Sequence, residues 1–198
     1  PGVVAAAAAP SSPLSGSSFA TLVEVPGAPP PNRQDPPIPL HLVAPGWFAA
    51  YGATILAGRD VTQSDTTSSE AIVLVNESFA RKFFPEGNVL GRRIRDAWAP
   101  EGQARRSRTI VGVVGDSFLS SARDVIPPML YQPLTQSPFT EPPPELSIAV
   151  RSAGAAPMAV PGASTRQQCA HGRCCGSAVA GAATRPRALQ RSTFLGIG

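Results

Sequence analysis

An α+β domain built on a mixed β-sheet with few short helices is the fold class that three observations predict. The chain holds many short β-branched runs, one well-punctuated amphipathic helix pattern, and 23 prolines concentrated in its connections. At 198 residues and 42% apolar content it is long enough to bury one ordinary core. No internal repeat is apparent.

The elements follow in order. Val3 and Val4 read as a weak strand entering the loop PSSPLSGSS, and Phe19 to Val25 alternates like one half-buried strand. Pro26 to Pro39 is linker-like, because proline cannot donate to a sheet ladder and favours extended geometry; an exposed excursion is expected. From Ile38 the pattern IPLHLVAPGWFAAYGATILAGRDV predicts a strand to Val43, a helical turn carrying Trp47, Phe48 and Tyr51, and a strand to Leu56. Gly58 and the polar run Thr62 to Glu70 then read as surface loop.

The stretch AIVLVNESFARKFFPEGNVLGRRIRD organises the chain. Ala71 to Val75 suits a strand buried on both faces. Asn76 can cap the helix that follows, and Glu77 places a carboxylate at its positive end. Phe79, Phe83 and Phe84 form the face expected to be buried, at roughly 1.5 to 3 kcal/mol for each Phe, while Arg81 and Lys82 point outward. Pro85 and Gly87 stop the helix, and Gly91 to Asp96 resumes an extended form. RTIVGVVGD is the most strand-like run, closed by Gly115-Asp116 as a turn; MLYQPL and Leu146 to Val150 complete the strands.

Charge narrows the function classes. Five arginines and no acidic residue follow Pro157, so residues 1–156 carry 12 basic and 13 acidic side chains, a net of −1. The overall net charge of +4 therefore belongs to the end of the chain, and no nucleic-acid surface is expected. Arg105, Arg106 and Arg108 read as a solvated loop entering a strand. No stretch approaches the roughly 18 consecutive apolar residues of a membrane helix. The start at Pro1-Gly2, without a basic, apolar leader, reads as an internal piece of a longer protein.

No catalytic, cofactor-binding or metal-binding residue is assigned. Cys169, His171, Cys174 and Cys175 could suggest zinc, but C-x-H-x-x-C-C is not a recognised ligand spacing. Gly115-Asp116-Ser117 invites comparison with a Gly-Asp-Ser hydrolase, whose serine needs a downstream histidine; only His171 follows. His41 lies on an apolar strand and reads as a core or edge histidine. Asn76-Glu77-Ser78 matches a glycosylation acceptor, which the helix-cap reading accounts for.

Four blocks in order, APGWFAAYGATILAGRDVTQSD, AIVLVNESFARKFFPEGNVLGRRI, RTIVGVVGD and PMLYQPLTQSP, resemble the periplasmic core domain of MacB/FtsX-type ABC transporter permeases, especially the large orphan permeases of acidobacteria. Ala44 to Phe48 match the family's S-P-G-Y-F turn with Ala44 for serine and Trp47 for tyrosine. Gly58-Arg59-Asp60, Asn76 to Pro85, and Gly112 to Asp116 match three further fold markers. The resemblance covers about residues 1–152. It implies an incomplete porter/sabre-like domain on the periplasmic face of the cell membrane, whose first transmembrane helix and early strand and helix precede this chain. It further implies that the domain is not an enzyme, needs no cofactor, and couples cytoplasmic ATP hydrolysis to conformational change or export. The implied partners are a second permease half, an ABC ATPase subunit and a periplasmic adaptor, with the membrane reached through helices outside this chain.

Residues 1–154 are thus expected to be a core-domain fragment and 155–198 an off-pattern, disordered tail. That tail has no acid, no lysine and all three cysteines, and reads as an out-of-frame translation of a GC-rich gene. Re-reading the coding DNA in the other two frames tests this.

Overall fold

The computed structural model describes residues 3–10, 19–97, 104–116, 126–137, 146–153, 164–170 and 173–180. The expected α+β architecture is present, with short strands in one mixed and one antiparallel sheet and, among the described residues, two short α-helices.

A large sheet is formed by β2 (Phe19–Thr21), β3 (Val23–Glu24), β4 (Ile38–Val43), β5 (Ile55–Gly58), β6 (Ile72–Asn76), β7 (Arg93–Asp96), β8 (Ser107–Val114) and β9 (Leu130–Pro133). Its order is β2-β4-β9-β6-β8-β7-β3, with β5 pairing to β8 beside β7. The pairs β4–β9 and β6–β8 are parallel and the others antiparallel, so the sheet is mixed. A smaller antiparallel sheet has the order β1-β10-β12-β11, from β1 (Val3–Ala9), β10 (Leu146–Ser152), β11 (Ser164–Ala170) and β12 (Arg173–Ala180). The last two strands fall in the stretch expected to be a tail; the rest of that stretch, residues 155–163, 171–172 and 181–198, lies outside the described residues.

The central strand β6 is buried at every position, as its continuous apolar run predicts. Val73 and Val75 enter one core cluster with Phe79, Phe84, Ile94 and Ile110, on the side of α2 (Glu77–Phe83). Leu74 enters the other, with Trp47, Phe48, Tyr131 and Val114, on the side of α1 (Trp47–Tyr51). One sheet thus divides two cores, and α1 carries the second core to the small sheet through Ala7, Ala9 and Ala149.

Several expectations are corrected. Phe19 to Val25 is two strands, because Leu22 is where the chain passes from pairing with β4 to pairing with β7. The alanine run continues β1 to Ala9, since β10 supplies ladder partners that outweigh alanine's weak strand preference. Strand β5 runs on to Gly58, held beside β8. That approach is close: a Cβ on Gly112 would lie 2.5 Å from the Arg59 carbonyl oxygen, and Gly58 has φ +77 and would collide with the Val111 carbonyl oxygen. On α2, Phe79 and Phe84 are buried but Phe83 is half-buried; its ring packs on Phe79 at 4.6 Å and takes Lys82 above its face. Arg108 is not solvated. It is buried and makes a bidentate pair with Asp96 at 2.5 and 2.9 Å.

Candidate functional site

Among the described residues, the side chains singled out for chemistry are put to structural use. Asp116 lies two residues past β8 and its carboxylate accepts four hydrogen bonds: from Asn76 Nδ2 at 2.8 Å, from the Ser78 N–H at 3.0 Å, from Ser78 Oγ at 2.7 Å and from Arg81 at 2.8 Å. These bonds hold the first turn of α2 against β8, which is a structural use of the carboxylate. Ser117 and His171 lie outside the described residues. Cys169 and Cys174 face each other in register across β11 and β12, and the side chains of the cysteine cluster also lie outside what is described. Among the described residues no group of three or more His, Cys, Asp or Glu could hold a metal ion.

Asn76 does what its position predicts and more. Its side-chain oxygen accepts the Phe79 N–H at 3.0 Å, capping α2, and also the Met129 N–H at 2.8 Å. Its amide nitrogen donates to Asp116 and, at 2.9 Å, to the Pro127 carbonyl. A side chain with these partners is buried and cannot carry a glycan. The residue therefore ties together β6, α2, the end of β8 and the start of β9.

Helix α1 lies between the two sheets and contacts both. Its five residues are too few to be stable alone, and no side chain caps its start. Gly46 at φ 82 and Gly52 at φ 72 bracket it in left-handed turns that only glycine enters readily. Aromatic contacts hold it to the large sheet. The Trp47 ring lies 5.7 Å from Tyr131 and 4.7 Å from Tyr51, while Phe48 meets Tyr131 edge-on at 5.1 Å. His41 stacks on Tyr131 at 5.6 Å, and burial pushes its imidazole below the ordinary histidine range. Burial likewise raises the Tyr131 phenol. Both groups are therefore neutral near pH 7, and the layer is an apolar bearing rather than a charged one.

The small sheet grips the same helix from the other side. The Ala44 N–H donates to the Ala8 carbonyl at 3.1 Å, and Arg151 on β10 donates to the Ala49 carbonyl at 2.9 Å, where a helix end favours a cation. The Trp47 indole N–H is buried without a hydrogen-bond partner among the described residues, a cost of about 1–3 kcal/mol that the surrounding packing outweighs.

The loop after β5 is anchored rather than loose. Asp65 is buried, and Arg59 forms a fork onto it at 2.8 Å through both oxygens, while the Thr62 N–H and hydroxyl add 2.8 and 2.9 Å bonds. The Arg59 hydrogen bonds, ahead of those from Thr62, hold the Asp65 carboxyl at about 2. Asp60 beside it is pushed up by burial. Gln136 closes the far end, accepting the Ile72 N–H and donating to the Thr66 and Glu70 carbonyls. The spacing Thr62-x-x-Asp65 is a reciprocal turn signal that could have revealed part of this. Nothing local marks Gln136, Arg108 or Arg151, whose partners are distant in sequence.

A family model described as MacB-like periplasmic core domain matches residues 4–163. Among solved structures the chain is similar to the periplasmic region of MacB from Actinobacillus actinomycetemcomitans. There the identity is 20% and the TM-score 0.46, over 68% of this chain and 50% of that one. It is also similar to the extracellular domain of the noncanonic ABC-type transporter YknZ from Gram-positive bacteria, with 16% identity and a TM-score of 0.48 over 78% of this chain and 67% of that one. The chain spans half the length of the first of these structures. No curated protein matches. Among the described residues no helix is long and apolar enough to cross a membrane.

Proposed function

The chain belongs to the family of MacB-like periplasmic core domains, the extracytoplasmic part of MacB/FtsX-type ABC transporter permeases, and on that premise we propose that it works as a conformational element. ATP bound and hydrolysed by a separate cytoplasmic ATPase subunit moves the transmembrane helices of the permease, and this domain answers by shifting between packings outside the membrane. In this reading it is not an enzyme, sits on the outer face of the cell membrane, and works beside a second permease half, with a periplasmic adaptor as a further partner. Residues 1–154 are its core portion and 155–198 an off-pattern tail, of which β11 and β12 extend the small sheet.

The observation that carries the reading, beyond the family match itself, is the joint at α1. A short helix with glycines at both ends can tilt with little backbone cost, and it meets the small sheet through the small apolar side chains of Ala7, Ala9 and Ala149 together with two hydrogen bonds.

The test uses the whole permease reconstituted with its ATPase. Cysteines replace Ala8 and Ala44, whose backbones touch at 3.1 Å, and a short thiol-reactive bridge locks the small sheet to the start of α1. The expected result is a loss of ATP turnover on locking and its return on cleaving the bridge. Equal turnover in the locked and free states overturns the proposal.

A further inference from the structure

The edge of the large sheet at β7 carries a groove of about 450 Å³, walled on one side by Pro26, Gly27 and Pro30 and on the other by Arg93, Arg95 and Ser107. Its geometry follows from where β3 stops. The antiparallel register sets Val23 opposite Asp96 and Glu24 opposite Arg95, so Pro26 would come opposite Arg93. Proline has no N–H to donate, and the chain instead turns away, with the Ala28 N–H on the Val25 carbonyl at 3.1 Å and Gly27 at φ +90. Strand β7 therefore runs past the end of its neighbour.

Within the paired part, the edge already shows which chemistry it accepts. Arg95 donates through Nε and Nη2 to Glu24 at 3.0 and 2.6 Å, Arg105 joins from the loop before β8, and the Arg95 hydrogen bonds chiefly hold the Glu24 carboxyl below the ordinary range. Side chains two apart on a strand share a face, so Arg93 repeats the Arg95 position one step along. Among the described residues no carboxylate of β3 stands opposite Arg93. The Arg93 guanidinium is 67% exposed, and its carboxylate contact is with Glu70 at 3.9 Å, beyond hydrogen-bond range.

We propose that this groove is a docking site for an extended acidic segment of a partner protein, which continues the interrupted β3 and places a carboxylate on Arg93 as Glu24 does on Arg95. Main-chain pairing to the β7 edge supplies a generic part of the affinity, and acidic residues at alternate positions supply selection. The proline-lined wall adds apolar contact without competing for hydrogen bonds.

The experiment titrates the full chain with a fluorescently labelled peptide whose glutamates alternate with valine and serine, and with the same peptide carrying glutamine. The glutamate peptide is expected to bind, to weaken as salt rises, and to lose about tenfold in affinity in both Arg93→Ala and Arg93→Glu, more in the second. Lys82→Glu, an equal charge reversal on exposed α2, should leave binding unchanged, and the glutamine peptide should not bind. Equal affinity in wild type and Arg93→Glu overturns the proposal, as does equal binding of the glutamine peptide or no binding at all. Anionic lipid vesicles or an oligonucleotide that bind through Arg93 while the peptide does not would also overturn it, making the groove a phosphate surface. None of these readouts involves ATP turnover, so the failure of this proposal and that of the conformational one are distinguishable.

Discussion

The two α-helices among the described residues lie on opposite sides of the same sheet and are held by different means. Helix α2 is started by its own neighbourhood, where Asn76 caps it, Glu77 sits at its positive end with Arg81 one turn on at 3.0 Å and Phe79 anchors it to the preceding strand, and Asp116 from beyond β8 then clamps its first turn. Helix α1 has no side-chain cap and no charged residue of its own in either end turn, and its anchors are Tyr131, Ala8 and Arg151, reached only after the chain has folded. A helix made locally is suited to be a fixed part. One defined by distant contacts is suited to move when those contacts are pulled.

The largest effect expected from breaking this contrast is at Trp47. Trp47→Ala should cost about 3–5 kcal/mol in urea denaturation. Hydrogen exchange should show β1 and β10 losing protection while α2 keeps it. Protection lost evenly across the molecule would mean that the two sides are one cooperative unit and the contrast is false.

Asn76→Ala comes next. Loss of the cap accounts for about 1 kcal/mol, and the Met129 N–H and Pro127 carbonyl left unpaired add a comparable amount each, so about 2–3 kcal/mol is expected. The sharper readout is where protection falls: α2 and the start of β9 together if Asn76 is the node described, α2 alone if it is only a cap.

The smallest effect concerns the loop on the α1 side. The Asp65 carboxyl is held at about 2, below its ordinary 3.8, so the folded state favours the charged form. Its contribution is fully present above about pH 4 and is lost as the pH falls toward about 2, on the order of 1 kcal/mol once exposure of Arg59 to solvent is allowed for. Asp65→Asn should flatten that acid limb of the stability profile. An unchanged limb would place the acid sensitivity elsewhere.

How much was legible follows from the range of the interactions. The strand-cap-helix-stop order from Ala71 to Gly87 could be read because every signal lies within a few residues of its effect. The same reading placed Phe83 among fully buried residues, because periodicity ranks positions around a helix but not how far the neighbouring sheet extends to cover them. The break at Leu22 was invisible for a related reason: alternation describes one strand's faces and carries nothing about which partners its two halves meet. The burial of Arg108 depended on Asp96, twelve residues away on the adjacent strand. Among functional features, the family blocks were readable as sequence, whereas the joint at α1 and the groove beside Arg93 were not.

By itself, then, the sequence determined what short-range chemistry controls: the strands as continuous apolar runs, the cap and stop of α2, and the concentration of positive charge after Pro157. The tertiary structure alone decided which strands pair, that one sheet separates two cores, that Asp116 and Asn76 form one node, and that β7 outruns β3 to leave Arg93 exposed. The physical reason is that hydrogen-bond ladders and core contacts are made between residues far apart in the chain. Their energy depends on geometry that no local pattern encodes.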